Sequence, residues 1–364
     1  MDRMSHDTFT LMLEPVKACN IRCRYCYSDL GYQGSMSFEI LAAAIHEAVT
    51  YARENRFSAL HIIWHGGEPL LAGLDFFRAA GAEITAHGLD IPIQQFIQTN
   101  GLLLDKDFCR FFRDHGIEVG ISLDGPKKIH DALRKTRGGK GTHDQVMEKL
   151  VLAKTLGLPV GLCMVVTPLC LGREKEIYHF FKALGTPFRA NPVIPSFHGK
   201  DGRNVILKPG DYGRFMCRLF DEWIKTKADR VPVSPLDSYL LSLVRGRSPE
   251  CQHQASCIGN RMGVRPDGTL ALCSRFQAQC LGHIKVDSFR EIYDTATCTA
   301  LDRRSSSLPS CRICINRAIC HGGCPHNAVV FSGAAMAPDP LCKDYQMIYD
   351  HIRQNLDREL HGTA

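Results

Sequence analysis

The 364-residue sequence has no long hydrophobic run; its longest apolar stretch, residues 156 to 166, is interrupted by Pro159 and ended by Pro168. A bilayer needs about 20 consecutive apolar residues, so no membrane span is expected. The first ten residues, MDRMSHDTFT, are polar and carry acids, which argues against a secretory signal. Charge of one sign is also scarce, and a formal net charge of +6 is too mild to imply a nucleic-acid partner. Convincing repeats and low-complexity tracts are missing, which disfavours solenoids and disordered linkers. An apolar content of 45% and a charged content of 23% are those of an ordinary globular enzyme, and the length suggests about two domains.

Cysteine is what the chain has in excess. Its 17 thiols form an odd number, which disfavours a complete disulfide framework. The chain is expected to be cytoplasmic, where thiols stay reduced and close-set cysteines read as ligands for zinc or iron–sulfur centres. Three of them, Cys19, Cys23 and Cys26, cluster within KACNIRCRYCYSDL. Eight more fall in tight spacings at Cys251, Cys257, Cys273, Cys311, Cys314, Cys320, Cys324 and Cys342. The isolated Cys109, Cys163, Cys170, Cys217, Cys280 and Cys298 are expected mostly as small buried hydrophobes.

From Thr8 to Ala228, short β-rich runs alternate with amphipathic helical patterns. The strand candidates are TFTLML (8–13), ALHIIW (59–64), QQFIQ (94–98), VGISL (119–123), VGLCMVV (160–166) and FRANPVI (188–194). Helical patterns follow, among them residues 37–54, 106–116 and 174–185. This alternation predicts an α/β fold with a parallel sheet covered by helices. Six units are fewer than the eight of a closed TIM barrel, so a partial (β/α)6 barrel is expected, with its site at the carboxyl ends of the strands. After Lys227 the pattern changes. Pro232 and Pro235 mark a connection, the helix LDSYLLSLVRG follows, and a cysteine-rich region of little periodicity is expected to fold around metal. The expected division is a barrel over residues 1–230 and a bridging segment with the cysteine-rich domain over 231–364. KTRGGKGTHD (135–144) reads as a flexible loop.

Three thiolates in CxxxCxxC can wrap a [4Fe–4S] cube from one loop and leave its fourth iron open to another ligand. A zinc site completed by a remote ligand such as His61 or His65 is the competing reading of that spacing. The signature, with Tyr25 as the aromatic residue before the last cysteine, resembles that of the radical S-adenosylmethionine (SAM) superfamily. The resemblance continues at successive strand ends. WHGGEPL supplies Gly66, Gly67 and Glu68, a segment that in the superfamily binds the amino group of the cofactor. QTNG supplies Gln98 and Asn100, SLDGP supplies Ser122 and Asp124 as partners for a ribose, and Arg134 resembles the arginine used on the cofactor carboxylate.

The later cysteines, read as C, ten residues, G, four residues, C, then CxxCxxxxxCxxxC and a final C, resemble the SPASM domain of radical SAM maturases. The fold class implied is thus a partial (β/α)6 TIM-type barrel followed by a small SPASM domain with two auxiliary clusters. By that resemblance Cys251, Cys257, Cys273 and Cys324 hold auxiliary cluster I, and Cys311, Cys314, Cys320 and Cys342 hold auxiliary cluster II. Considered without the barrel, a pair of zinc sites would fit the same thiols.

The implied cofactors are SAM and three [4Fe–4S] clusters, one binding SAM at Cys19, Cys23 and Cys26. The implied substrate is a ribosomally made precursor peptide or a protein, with a reductase, ferredoxin or flavodoxin as electron donor and no nucleic-acid or membrane partner. Fully ligated auxiliary clusters suit an oxidation that removes two hydrogens. The layout is similar to anaerobic sulfatase maturases, which convert Ser or Cys to formylglycine. Those enzymes place a general-base Asp where this chain has Ser274, and serine does not take up a proton as a carboxylate does near neutral pH. The expectation is therefore an intrapeptide carbon–carbon or thioether crosslink, with formylglycine formation as the alternative. Asp237 is a candidate residue near substrate, equally explained as a helix-starting Asp, and His65 is a candidate wall residue. An epimerase would need a donor thiol such as Cys163, Cys217 or Cys280. A non-catalytic electron carrier or metal-binding adaptor is the reading from another class; it leaves the Glu68, Ser122 and Arg134 constellation unexplained.

Overall fold

The computed structural model describes residues 7–28, 34–88, 90–195, 205–226, 229–276 and 280–361. Its strands are β1 (Thr8–Val16), β2 (Ile21–Cys23), β3 (Ala59–Gly66), β4 (Ile93–Thr99), β5 (Ile117–Ser122), β6 (Arg134–Thr136), β7 (Val160–Val166), β8 (Phe188–Pro192), β9 (Val233–Ser234), β10 (Arg261–Val264), β11 (Thr269–Ala271) and β12 (Gly282–His283). Alternation decides which way each faces. In β1, Phe9, Leu11 and Leu13 are fully buried, while Thr8, Thr10 and Met12 on the opposite face are only half-buried.

One curved sheet runs in the order β12-β11-β10-β1-β3-β4-β5-β7-β8-β9. All neighbours from β10 to β9 are parallel, and β11 and β12 add antiparallel to β10. Parallel pairing requires crossover connections, and amphipathic helices supply them. The first, Phe38–Glu54, starts at Ser37, whose hydroxyl accepts the Ile40 N–H. It buries Leu41, Ala44, Ile45, Ala48, Val49 and Ala52, the spacing of one helix face.

The six expected barrel strands are all present in the sheet, the last ending at Pro192 instead of Ile194. Four further strands widen it, two of them parallel. β9 and β10 lie beyond residue 230 and pair with β8 and β1, so the sheet continues across the expected domain boundary. With two and four residues they are too short for periodicity to reveal. Segment 135–144 is not a flexible loop. Its first residues pair with β2, Lys135 bridges Gly141, and Thr142 is buried. Its glycines suggest a loop because the strand that orders it lies within the first cysteine motif.

The last helix, Cys342–His361, packs on the barrel helix Asp211–Lys225. Asp344 is buried there, accepting the N–H groups of Gly210 and Gly213 at 3.1 and 2.7 Å. Among the described residues no helix is long and apolar enough to cross a membrane. Trp64 centres the packing between sheet and helices. It is fully buried, stands edge-to-face on Phe76 and Phe77, and donates Nε1–H to Gln95 at 3.0 Å. Trp64→Ala should lower stability by roughly 3–5 kcal/mol, read from anaerobic urea unfolding.

Candidate functional site

The cluster loop leaves the carboxyl end of β1 and is gripped from both sides. On one flank β2 pairs with β6, setting Cys23 opposite Arg134. On the other, the N–H groups of Gly67 and Glu68 donate to the carbonyls of Val16 and Ala18 at 3.1 and 2.9 Å. A β-carbon on Gly67 would stand 2.2 Å from the Lys17 carbonyl oxygen and 2.3 Å from that of Ala18, so only glycine permits this approach. Gly66, with φ at 121°, makes the turn before it. The Cys26 N–H donates to the Cys23 carbonyl at 3.2 Å, folding the last two thiols toward one side.

Cys19, Cys23 and Cys26 lie within electrostatic reach of one another, and burial raises the pKa of each, that of Cys23 to about 12. Asn100 donates its amide to Asn20 at 2.7 Å and approaches Cys19 Sγ at 3.7 Å. Arg134 Nη1 is 3.8 Å from Cys23 Sγ. Arg137, which the sequence pattern did not single out, donates Nη2 to the Cys19 carbonyl at 2.7 Å.

Two buried carboxylates brace the strand ends. Glu68 accepts the Thr99 hydroxyl at 2.6 Å and the Leu70 and Asn100 N–H groups at 3.1 and 2.7 Å, and burial raises its pKa to about 7. Asp124 accepts the Tyr25 hydroxyl at 2.5 Å, Arg134 Nε at 2.9 Å and the Val165 N–H at 3.0 Å. The Arg134 guanidinium also lies 5.4 Å from the Tyr25 ring centroid. Gln98 donates to the Ser122 hydroxyl at 3.0 Å. Four neighbouring strand ends thus gather amide, hydroxyl and guanidinium groups around three thiols, a set suited to a ligand with both a ribose and a charged amino-acid moiety.

The remaining eight clustered cysteines form two separate rings. Cys251, Cys257, Cys273 and Cys324 line a cavity of about 50 Å³, and Cys311, Cys314, Cys320 and Cys342 line one of about 20 Å³. Gly323, with φ at 73°, is packed so closely on Asp339 that a β-carbon would lie 2.4 Å from it, and Asp339 in turn accepts the Cys324 N–H at 2.7 Å. Gln346 sends its amide to Cys314 and Cys342 at 3.7 and 3.8 Å. Burial pushes the thiols of Cys257, Cys320 and Cys324 up to about 12. Such thiols ionise only against strong positive charge, which iron supplies. Among the described residues no three metal-ligating side chains close on a single-ion site. Thiols standing around a void fit a multi-iron group better than one zinc ion.

The other candidates lie at different distances from the first thiol set. His61 stands on β3 five residues before Gly66, roughly 16 Å along the strand. His65 is held by the Gly66 N–H at 2.7 Å, and burial lowers its pKa to about 4. Cys217 is buried with its sulfur 3.7 Å from the Met347 carbonyl, and Cys280 is exposed. Cys163 on β7 meets the Asn191 amide at 3.3 Å, in electrostatic reach of Arg134 and Arg189. Asp237 caps its own neighbour, accepting the Ser238 N–H at 2.7 Å, and burial raises its pKa. Ser274 places its hydroxyl 4.0 Å from Met12 Sδ.

Glu14 was missed by the sequence reading because it continues an apolar strand with no motif around it. It is buried, its Oε2 has no hydrogen-bond partner, and burial raises its pKa to about 7. The Arg189–Glu250 ion pair, tying β8 to the residue before Cys251, gave no local signal either. Gly67→Ala should displace only the first thiol set. After anaerobic reconstitution the variant is expected to hold about two-thirds of wild-type iron, with SAM binding lost.

The family profile of the radical SAM superfamily matches residues 13–181, and that of the SPASM iron–sulfur cluster-binding domain matches residues 251–315. The serine-type anaerobic sulfatase-maturating enzyme of Bacteroides thetaiotaomicron is 29% identical, over 95% of this chain and 90% of its own. The cysteine-type enzyme of Clostridium perfringens is 27% identical over 94% of this chain and 95% of its own. The solved structure of native anSMEcpe with bound AdoMet and Kp18Cys peptide superposes with a TM-score of 0.86 at 26% identity, covering 98% of this chain and 99% of that one. The chain belongs to the radical SAM superfamily, as an enzyme with a SPASM domain whose cofactors are S-adenosylmethionine and three [4Fe–4S] clusters.

Proposed function

We propose that this enzyme oxidises a Ser or Cys side chain in a peptide segment of its substrate to formylglycine. Near full-length similarity to sulfatase-maturating enzymes of both serine and cysteine types carries this reading. It replaces the crosslink expected from Ser274, for which the comparisons offer no support beyond peptide maturation. When bound, SAM and the clusters supply the radical that takes a hydrogen atom from substrate and the redox capacity for the second electron. Cys19, Cys23 and Cys26 would hold the first cluster. Arg134, Asn100, Gln98 and Ser122 would orient SAM, and Glu68 and Asp124 would keep them in place. The two rings of four thiols would hold the auxiliary clusters. Reduced thiols in this number suit a cytoplasmic enzyme served by a ferredoxin or flavodoxin.

Loss of two hydrogens gives the aldehyde directly from Ser, and from Cys a thioaldehyde that water converts to the aldehyde with release of hydrogen sulfide; in both cases the hydroxyl or thiol proton leaves, and a carboxylate is suited to accept it. Ser274 does not serve, but it touches Met12, and Glu14 lies two residues farther along β1 with Tyr27 in electrostatic reach. We assign the proton to Glu14 Oε2. Asp237, in electrostatic reach of Arg189 and Glu250, is a second carboxylate candidate.

Incubated anaerobically with the Kp18Cys peptide, the enzyme should yield an aldehyde-reactive product with an uninterrupted fragment ladder in tandem mass spectrometry. Loss of two hydrogens with a gap in the ladder would establish a crosslink instead. Glu14→Gln should reduce turnover by about 100-fold or more while SAM cleavage without peptide persists. Because the carboxyl must be ionised to accept a proton, wild-type turnover should fall as pH drops through about 7, and this limb of the profile should vanish in the variant.

A further inference from the structure

At the end of the barrel opposite the cluster loop, the sheet opens into a cavity of about 710 Å³. Its inner wall is formed by Thr8, Thr10 and Met12 of β1 and His61 and Ile63 of β3. These residues share strand faces by alternation and pair in register, Thr10 with His61 and Met12 with Ile63, below the irregularity in β1 between Leu13 and Val16. Thr8 lies eight residues before Val16, so the mouth is roughly 26 Å from the cluster loop along β1 and Met12 roughly half that. An extended peptide of about eight residues would cover the distance.

The outer wall is basic. It holds Arg245, Arg247 and Arg261 against one acid, Asp7. Arg261 is engaged by the Cys251 thiol. Arg245 and Arg247 are exposed, and neither pairs with a carboxylate among the described residues. A lone arginine in the last turn of helix Leu236–Arg245 would be explained by the helix dipole. Arg247 lies beyond the Gly246 stop, where that explanation ends. The cavity is also lined by His253, which is 1% exposed, gives one ring nitrogen to the Tyr349 hydroxyl at 3.0 Å, and has no partner for Nε2.

We propose that this cavity admits and binds the substrate peptide, and that Arg245 and Arg247 select sequences with Asp or Glu side chains flanking the modified residue. The inference rests on the maturase reading and names its substrate class. A peptide entering here meets uncompensated guanidinia at the mouth and then Thr10 and Met12 on the strand that leads to the cluster loop.

The test pans anaerobically reconstituted holoenzyme against an mRNA-displayed library of random peptides with a central Ser or Cys. Wild-type enzyme should enrich Asp and Glu. R245E/R247E should lose that enrichment and retain wild-type-selected peptides about fivefold or more weakly, whereas R245K/R247K should keep it. Retained peptides without acidic enrichment, or equal retention by R245E/R247E, would overturn the cavity's role and leave the maturase reading standing. Retention of no peptide by wild-type enzyme would remove both.

Discussion

The reaction face depends on a contact between two stretches of backbone. Gly67 passes so close to the Lys17 and Ala18 carbonyls that no side chain fits between them, and the pair of hydrogen bonds there fixes the height of the cluster loop above the sheet. From that point order spreads sideways. Glu68 follows Gly67 into the interior, and its carboxylate joins β3 to the end of β4 through Thr99 and Asn100. Asn100 reaches back to Asn20 and Cys19, closing a circuit that returns to the loop. A buried carboxylate without such partners would be destabilising by several kcal/mol, so the three donors on Glu68 are what make its placement tolerable.

A second constraint is electrostatic. Two of the three thiol sets have arginine beside them: Arg134 near Cys23 in the loop, and in the first ring Arg261 on Cys251 and Arg275 in electrostatic reach of Cys273 and Cys324. Thiolates gathered in a low-dielectric interior repel one another, and guanidinium is the one side-chain cation that burial does not neutralise. Arg304 plays a different part. Its guanidinium donates to the carbonyls of Gly322, Gly323, Ala335 and Ala337, holding the loop after Cys320 against the segment that leads to Cys342. Charge balance and loop architecture thus come from the same residue type used in two ways.

These two constraints explain what was legible in the sequence. The strands were readable because β-branched runs alternate with helical periodicity, and the thiol sets because spacing itself carries the chemistry. Gly66 and Gly67 stood out for the same reason. β9 and β10 escaped notice because a two- or four-residue strand has no period, and its partner lies far away in sequence. Segment 135–144 misled because its order comes from β2, within the first cysteine motif. Glu14 and the Arg189–Glu250 pair were hidden for a deeper reason: a buried charge is interesting only through what surrounds it, and sequence does not list neighbours. Ser274 could be weighed only by itself, because sequence does not show that a buried carboxylate, Glu14, stands two residues beyond the methionine it contacts.

The cluster domain is built into the barrel sheet and not appended to it. β10 lies against β1, with Met12 level with Gly263, and a β-carbon on Gly263 would press on the Cys273 backbone at 3.0 Å. Glycine there lets Cys273 and Ser274 lie over the same stretch of β1 that walls the lumen. At the far side Asp344, two residues after Cys342, is bonded to the amino end of a barrel helix. The first ring of thiols is therefore registered to β1 and the second to the helix layer, so their positions relative to the cluster loop follow from strand and helix geometry. Radical chemistry tolerates little looseness between the group that takes a hydrogen atom and the groups that take the accompanying proton and electron. A continuous sheet satisfies that demand, because moving one site relative to another would require breaking parallel strand pairing in the middle of the core.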